Sequence, residues 1–181
     1  MTSSEQFTSL ARGHIRAIED WPEPGVTFRD ITPLLADPAG LAGTVDALAG
    51  IAATWGPIDK VVGIEARGFV LAPPVAMRLG AGFVPVRKAG KLPAAVESRT
   101  YDLEYGSATV EIHRDAIVTG ERVLVLDDVL ATGGTLSAAR DLVTGLGGHV
   151  LGQLVLIELS SLGGRARLGT QTPTAALVTY P

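Results

Sequence analysis

Two adjacent acids, Asp127 and Asp128, follow the apolar run 123–126 and come shortly before a turn of small residues at 131–135. A turn of this kind at the start of a helix aims several backbone N–H groups at one point, where the helix dipole also favours an anion. Its glycines let the backbone approach that anion without an obstructing Cβ. The pattern therefore predicts a phosphate-binding loop beside a pair of carboxylates.

The two carboxylates are not expected to face the phosphate closely, because like charges repel. Neutral hydroxyls or a hydrated Mg²⁺ ion suit them better. A phosphorylated sugar would meet both demands, with its phosphate on the turn and its ring hydroxyls near Asp127 and Asp128. The predicted phosphate loop consists of Ala131, Thr132, Gly133, Gly134 and Thr135.

Other classes of site lack their sequence patterns. The chain has no cysteine, which excludes disulfides, thiolate nucleophiles and zinc–thiolate sites. It has no Gly-x-x-x-x-Gly-Lys-Ser/Thr motif, and the glycine pairs at 80–82 and 145–147 lack the third glycine of a dinucleotide fingerprint. The spacing of His14, His113 and His149 supports neither a histidine metal site nor a serine triad.

The elements that position the acids alternate between short apolar runs and helical stretches of about 12 residues. This alternation is typical of βαβ units and a mainly parallel sheet, and so of an α/β fold. Ligands bind to such sheets beyond the carboxyl ends of the strands, which is where the two acids are expected. The predicted strands are 58–64, 82–87, 122–126, 149–157 and 175–179.

Helical spacing of apolar residues predicts two further helices, over 9–20 and 38–54. Residues 88–120 break the alternation, since they contain no convincing helix. Within them, 100–105 and 108–113 alternate around a Gly-Ser turn, which predicts an antiparallel hairpin that projects from the sheet. Long loops of this kind are usually functional, and we expect a lid.

The chain of 181 residues is 46% hydrophobic and 19% charged, which favours a single domain over 1–181. Its net charge of −4 disfavours nucleic-acid binding unless a local basic patch exists. The N-terminus carries no signal-peptide pattern, and no apolar run approaches the roughly 20 residues of a membrane-spanning helix. Because cysteine and asparagine are both absent, we expect a cytoplasmic location.

The string VLVLDDVLATGGT at 123–135 resembles the phosphoribosyl-pyrophosphate (PRPP) motif of the type I phosphoribosyltransferases. From about Pro24 to the C-terminus, further segments look like the adenine branch of that family. Val129 departs mildly from the pattern, because leucine is common at this position. The matching segments are 28–35 (FRDITPLL), 65–69 (EARGF), 83–93 (FVPVRKAGKLP) and 101–106 (YDLEYG).

The resemblance implies a twisted, mainly parallel sheet flanked by helices, with a mobile hairpin lid within 88–120 and a small base-binding hood formed by 1–35. It implies that adenine and PRPP react to give AMP and pyrophosphate in a homodimeric enzyme of purine salvage. The Mg²⁺ cofactor would arrive on the pyrophosphate of PRPP, so no fixed metal site is expected.

By the same resemblance, Asp127 and Asp128 are catalytic. They would lie at the ribose 2′- and 3′-hydroxyls and stabilise a cationic, oxocarbenium-like ribose. The phosphate loop would bind the 5′-phosphate. Arg67 and Lys88 would bind the leaving pyrophosphate, and Arg87 would do so in its own or a neighbouring subunit.

The base pocket also follows from the resemblance. Phe28 would stack on the purine, while backbone groups of Val26 and Arg29 read the edge of the ring. Leu159, which follows the strand predicted at 149–157, would contribute to the same pocket.

Two residues of the lid complete the implied site. Glu104 is the catalytic candidate, because it would hydrogen-bond the imidazole edge of adenine and ease proton loss when N9 attacks. Tyr105 would contact the substrate beside it. Both assignments rest on the segment 101–106.

Two alternatives stay open. The PRPP motif is shared by phosphoribosyltransferases for other bases, such as hypoxanthine and guanine, so only the region of Phe28 and the lid favour adenine. A regulator that senses PRPP and binds DNA or RNA would need a helix-turn-helix domain or a basic face. The first 25 residues are short for such a domain, and the net charge of −4 argues against a basic face.

Overall fold

The structure is a computed structural model that describes residues 3–102 and 106–181, with side chains described from residue 8 onward. Its contacts group the chain into two compact units, Met1–Ala47 and Leu48–Pro181. The single domain expected over 1–181 stays a prediction. In the described residues, no helix combines the length and apolar character needed to cross a membrane.

The Met1–Ala47 unit combines helices with a two-stranded antiparallel ribbon. Its elements are α1 (Ser3–His14), β1 (Arg16–Ile18), β2 (Phe28–Asp30), α2 (Thr32–Ala36) and the first part of α3 (Pro38–Ala53). In the ribbon, Ile18 of β1 lies opposite Phe28 of β2. The helix expected over 38–54 is confirmed as α3.

The helix expected over 9–20 is wrong in its second half, because Arg16–Ile18 form a strand. Arg16 Nη2 lies 2.5 Å from Asp30 Oδ2 across the ribbon, and the two residues are register partners. Asp30 also accepts a hydrogen bond of 2.9 Å from the amide of Thr32. The strand is therefore stabilised by a partner 14 positions away, which helical spacing does not reveal.

The Leu48–Pro181 unit is built on a seven-stranded sheet flanked by helices. Its elements after α3 are β3 (Lys60–Ile64), α4 (Gly68–Leu79), β4 (Gly82–Lys88), β5 (Val96–Asp102), β6 (Ser107–His113), β7 (Arg122–Leu130), α5 (Gly134–Gly145), β8 (His149–Leu159), a 3₁₀ turn (Ser160–Leu162), α6 (Gly164–Leu168) and β9 (Thr174–Tyr180). The strand order is β5-β6-β4-β3-β7-β8-β9, and the five strands from β4 to β9 are parallel. The predicted α/β fold with a mainly parallel sheet is confirmed.

The central strands are buried on both faces, as their unbroken apolar runs indicate. Strands β3, β7 and β8 contribute the buried runs 61–64, 123–126 and 154–157. Helix α4 packs on β3 and β7 and buries Leu71, while α5 packs on β7 and β8 and buries Leu142. This core holds the carboxyl ends of β3, β4 and β7 at one edge of the sheet, where a ligand site is expected.

Two elements differ from their predicted form. Strand β7 was expected to end at 126, but it continues to Leu130, so the two acids belong to the strand itself. The predicted hairpin is confirmed in its described part as β5 and β6, which pair antiparallel, while residues 103–105 lie outside the described residues. It does not project from the sheet, because Arg87 of β4 pairs with Glu111 of β6 and joins the hairpin to the sheet edge.

Candidate active site

Asp127 and Asp128 lie near the carboxyl end of β7, and both are buried, with 8% and 5% exposure. The amide of Asp128 donates to Asp127 Oδ1 at 2.9 Å. Gly68, the first residue of α4, packs against the pair, since a Cβ at this position would lie 2.9 Å from Asp127 Oδ1. Glycine at 68 therefore allows α4 to begin directly against the carboxylates.

Arg67 supplies positive charge to this pair, with its Nε 2.5 Å from Asp128 Oδ2. Burial raises the pKa of Asp128, and the nearby Arg67 opposes that rise. Burial also raises the pKa of Asp127 well above its usual value, and the charge of Asp128 adds to the increase. A ligand that brings hydroxyl donors or positive charge would stabilise the ionised form of the pair.

The phosphate loop connects β7 to α5, a helix of 12 residues that begins at Gly134. Gly133 has φ +82°, and a Cβ on it would lie 2.7 Å from Gly164 O, so its conformation and its surroundings both require glycine. The loop encloses a recess of about 60 Å³ that faces the N-terminus of α5. The recess is lined by Val129, Leu130, Ala131, Thr132, Gly133, Thr135 and Leu136.

A cleft of about 480 Å³ gathers the two acids, part of the phosphate loop and two cations. It adjoins the recess of the phosphate loop, because Val129, Ala131 and Thr135 line both. A larger cavity of about 950 Å³, around Arg140 and His149, contains none of the predicted site residues. We place the candidate site in the smaller cleft, which is lined by Glu65, Ala66, Arg67, Lys88, Tyr101, Val110, Asp127, Asp128, Val129, Ala131 and Thr135.

Glu65 contacts three basic residues that form what we call the cationic wall of the cleft: Arg87, Lys88 and Lys91. Its Oε2 accepts a hydrogen bond of 3.0 Å from the amide of Lys88 and lies 3.4 Å from Arg87 Nε. Its Oε1 forms an ion pair with Lys91 Nζ. Arg87 itself does not line the cleft, but Glu65 ties it to a residue that does.

Tyr101 of β5 joins the hairpin to the phosphate loop. Thr135 Oγ1 donates a hydrogen bond of 3.0 Å to Tyr101 Oη. The ring lies against Gly134, where a Cβ would be 2.8 Å from Tyr101 Cδ2. The glycine at 134 therefore makes room for the aromatic ring.

The residues predicted to bind the base fall into both units. Phe28 is in β2 and packs edge-on against Trp21, with 4.5 Å between ring centroids. The amide of Val26 donates to Glu23 O at 3.1 Å, and the carbonyl of Val26 accepts from the amide of Trp21 at 3.1 Å. Arg29 pairs with Ala17 across the ribbon of the Met1–Ala47 unit.

Two further predicted residues, Leu159 and Gly134, do not line the cleft. Leu159 ends β8 in the Leu48–Pro181 unit, opposite Tyr180, and is half-buried. Gly134 borders a separate cavity of about 210 Å³ beside Tyr101. Glu104 and Tyr105 lie outside the described residues.

Sequence reasoning assigned no role to three residues that the structure places at the site: Glu65, Lys91 and Tyr101. All three occur in segments that match the family. Glu65 stands two positions before Arg67, directly after a buried strand. A carboxylate at such a strand end, two positions before a cation, is a signal that could have identified it.

No group of three or more metal-ligating side chains occurs among the residues the structure describes. Asp127 and Asp128 offer two carboxylates, and each shares an oxygen with an internal partner. This donor set fits a Mg²⁺ ion that brings other ligands with it better than a resident ion, since Mg²⁺ keeps several waters and substrate oxygens.

Comparison with known proteins identifies the family of the chain. The phosphoribosyl transferase domain family matches residues 30–167. Adenine phosphoribosyltransferase from Streptomyces coelicolor is 58% identical over 168 residues, which cover 93% of this chain and 92% of the relative. The enzyme of that name from Frankia casuarinae is 59% identical over 164 residues, which cover 91% of this chain and 87% of the relative.

Solved structures give the same result. The adenine phosphoribosyltransferase of Rhodothermus marinus superimposes with a TM-score of 0.91 at 45% identity and covers 97% of this chain and 99% of its own. The enzyme of Saccharomyces cerevisiae, solved with adenine and an imino-altritol bisphosphate, has a TM-score of 0.91 at 36% identity and covers 96% and 99%. The chain therefore belongs to the adenine phosphoribosyltransferase family.

Proposed function

We propose that the chain transfers the 5-phosphoribosyl group of PRPP to adenine, which gives AMP and pyrophosphate in purine salvage. One observation carries the proposal: the acids of β7, part of the phosphate loop, Arg67 after β3 and Lys88 at the end of β4 line a single cleft. A phosphate subsite, a pair of carboxylates and a pair of cations match the three parts of PRPP.

In the proposed mechanism, the phosphate loop holds the 5′-phosphate in the recess at the start of α5. Asp127 and Asp128 accept hydrogen bonds from the ribose hydroxyls and stabilise the positive charge that develops on the ring. The bond from C1′ to N9 of adenine forms as the bond from C1′ to the pyrophosphate oxygen breaks. Arg67 and Lys88 stabilise the negative charge of the leaving pyrophosphate.

The proton of adenine N9 must leave during the transfer, and Glu104 is the proposed acceptor. Tyr105 is proposed to contact the substrate beside it. Phe28, with backbone groups of Val26 and Arg29, is proposed to bind the base, together with Leu159.

Asp127 and Asp128 would hold in part a Mg²⁺ ion that PRPP brings with it, and the ion would neutralise charge on the pyrophosphate. We expect activity to disappear after exhaustive EDTA treatment and to return on addition of Mg²⁺. Full activity in EDTA would contradict this part of the proposal.

We also propose a homodimer that acts in the cytoplasm. The family resemblance supports the dimer, and so do Val70 and Met77, which lie seven positions apart on one face of α4 and are 46% and 82% exposed. Large apolar side chains grouped at a surface are typical of an interaction site. Sedimentation velocity is expected to give twice the chain mass, and Met77→Glu is expected to shift the equilibrium toward the monomer.

The proposed activity is tested by supplying adenine, hypoxanthine and guanine separately with PRPP and Mg²⁺, and by separating the nucleotide products. AMP is the expected product. Formation of IMP or GMP at a comparable rate would move the assignment to another base. Gel shifts with DNA and RNA, with and without PRPP, test the regulator alternative and are expected to show no complex.

A further inference from the structure

Glu65 follows β3 directly, and its side chain is only 10% exposed in the wall of the cleft. All of its described polar contacts are with cations or an N–H donor: the Lys88 amide, Arg87 Nε and Lys91 Nζ. Arg87 Nη1 in turn donates to Lys91 O at 3.2 Å. The Glu65 carboxylate thus contacts both the end of β4, at Arg87 and Lys88, and Lys91 in the turn that follows.

A buried carboxylate is unfavourable unless its surroundings compensate its charge. Burial tends to raise the pKa of Glu65, but hydrogen bonds from Lys91, the Lys88 amide and Arg87 outweigh it and lower the pKa to about 2. Glu65 is therefore ionised throughout the physiological range and holds its partners as an anion.

The inference rests on the proposed binding of pyrophosphate by this wall of the cleft. We propose that Glu65 is a positioning residue that orders Arg87, Lys91 and the Lys88 segment for the pyrophosphate group of PRPP. Arg87 and Lys91 have long, flexible side chains with the same charge, so without an anion between them they would separate and move into solvent. Ordering such groups before the ligand arrives removes an entropic cost from binding.

The direction in which neutralising Glu65 changes pyrophosphate affinity distinguishes a positioning role from direct electrostatic repulsion. A carboxylate beside an anion subsite repels the anion directly. If Glu65 acted only through this field, its neutralisation would tighten pyrophosphate binding. If it positions the cations, neutralisation weakens binding, because the cations lose their anchor.

The decisive measurement is the dissociation constant of pyrophosphate, obtained by titration calorimetry with Glu65→Gln. Glutamine can still accept the Lys88 amide but no longer holds the two cations by charge. We expect binding to weaken about tenfold, as for a lost charge-assisted hydrogen bond. Glu65→Asp keeps the charge on a shorter side chain and is expected to bind more tightly than Glu65→Gln.

Glu97→Gln is the matched control, since Glu97 is 47% exposed and pairs with Arg114 at 2.8 Å outside the cleft. It removes the same charge and is expected to leave pyrophosphate binding unchanged. In steady-state assays, Glu65→Gln is expected to raise the KM for PRPP while the KM for adenine and the melting temperature stay near those of the wild type. Equal changes in both KM values would indicate a structural role and overturn the proposal.

A double-mutant cycle tests the route of the effect. If Glu65 acts through Lys91, then Glu65→Gln has a smaller effect on pyrophosphate binding in a Lys91→Met background. Tighter or unchanged binding in Glu65→Gln, or full additivity with Lys91→Met, overturns the proposal. Arg67→Ala tests the pyrophosphate subsite separately. If Arg67→Ala leaves pyrophosphate binding intact, the subsite itself is misplaced. If Arg67→Ala weakens binding and Glu65→Gln does not, only the role of Glu65 is refuted.

Discussion

The negative charges of Asp127 and Asp128 disfavour the folded state but favour the proposed catalysis. Asp127 and Asp128 are adjacent and buried, and the pKa of each is raised, chiefly by burial. Holding both ionised near neutral pH therefore opposes folding. The same unbalanced negative charge is suited to a ribose that becomes positive during transfer, because it is already in place before the charge develops.

This relation predicts that Asp127→Asn with Asp128→Asn lowers kcat by about 10³-fold or more, since two charge-stabilising groups are lost. The melting temperature at pH 7 is expected to stay the same or rise. Stability linked to a raised pKa is present at low pH and is lost as the pH rises through that pKa, and asparagine does not titrate.

Steady-state kinetics and thermal melts from pH 4 to pH 8 check this prediction. Asp115→Asn makes the same chemical change at an exposed position away from the cleft and is expected to alter neither quantity. A double variant that melts far below the wild type at pH 7 would show that the acids are structural.

The acids and the phosphate loop of the candidate site could be predicted from the single segment 123–135, because strand, acids and loop are neighbours in sequence. The contacts of Glu65, Lys91 and Tyr101 could not, since each forms only when separate strands align. Lys91 reaches a residue 26 positions earlier, and Tyr101 one 34 positions later. Their types are visible in the sequence, but their partners depend on the sheet.

At the scale of elements, unbroken apolar runs identified β3, β4, β7, β8 and β9, because strands buried on both faces need no polar alternation. The end of β7 was missed because two acids interrupt its apolar run, although Val129 and Leu130 continue it. The short strand β1 falls within the helix predicted over 9–20, because its three residues carry too little periodicity to outweigh a helical neighbour. In both elements the strand is determined by its pairing, of β1 with β2 and of the end of β7 with β8.

The contact between the hairpin and α5 predicts a measurable coupling. Tyr101→Phe removes the hydroxyl that accepts from Thr135 but keeps the ring against Gly134. Thr135→Val removes the other partner with little change of shape. In a double-mutant cycle of unfolding free energy, we expect a coupling of about 0.5–1.5 kcal/mol. Strict additivity would mean that the hairpin is not held to the phosphate loop by this bond.

The ion pair between Asp59 and Arg122 joins the segment before β3 to the start of β7. Arg122 donates to Asp59 from Nη2 at 2.7 Å, from Nε at 2.9 Å and from its amide at 2.8 Å. These hydrogen bonds, led by those from the side chain, hold the pKa of Asp59 well below its usual value. The carboxylate therefore supports the register of two central strands as long as it is ionised.

Asp59→Asn is accordingly expected to lower the melting temperature at pH 7. Stability linked to a lowered pKa is present above the unfolded-state value of about 3.9 and is lost as the pH falls through the folded-state value. The difference in melting temperature between wild type and variant should therefore shrink as the pH falls below 4. A difference that is independent of pH would mean that the charge of Asp59 is not the cause.

At the scale of the whole molecule, the proposed functions fall in different parts of the chain. The cleft proposed for PRPP belongs to the Leu48–Pro181 unit, whereas Val26, Phe28 and Arg29 belong to the Met1–Ala47 unit. The sugar–phosphate half follows a motif that many phosphoribosyltransferases share. The proposed choice of base rests instead on the short segment 26–29, whose backbone would present the hydrogen-bonding groups, and side-chain types reveal such groups poorly.

The hydrogen bonds of the turn before β2 suggest how adenine is recognised. The Val26 amide is already bonded to Glu23 O, while its carbonyl accepts from Trp21 and keeps a second lone pair. An acceptor of this kind suits the amino group at C6 of adenine and opposes the oxo group of hypoxanthine. Each buried group left unpaired costs about 1–3 kcal/mol, so mismatches at the Val26 carbonyl and at a backbone group of Arg29 together predict roughly 10²–10⁴-fold discrimination.

Phe28→Ala tests whether stacking and edge recognition are separate. Loss of stacking on one base costs about 1–3 kcal/mol, so kcat/KM for adenine should fall about 5- to 150-fold. The preference for adenine over hypoxanthine and guanine should persist, because backbone groups set it. Thr27→Ala is the neighbouring control, since Thr27 Oγ1 donates to Glu19 at 2.6 Å, and it should leave kcat/KM near that of the wild type. Hypoxanthine turnover within about tenfold of adenine on the wild type, or a reversed preference in Phe28→Ala, would contradict recognition by the backbone of this segment.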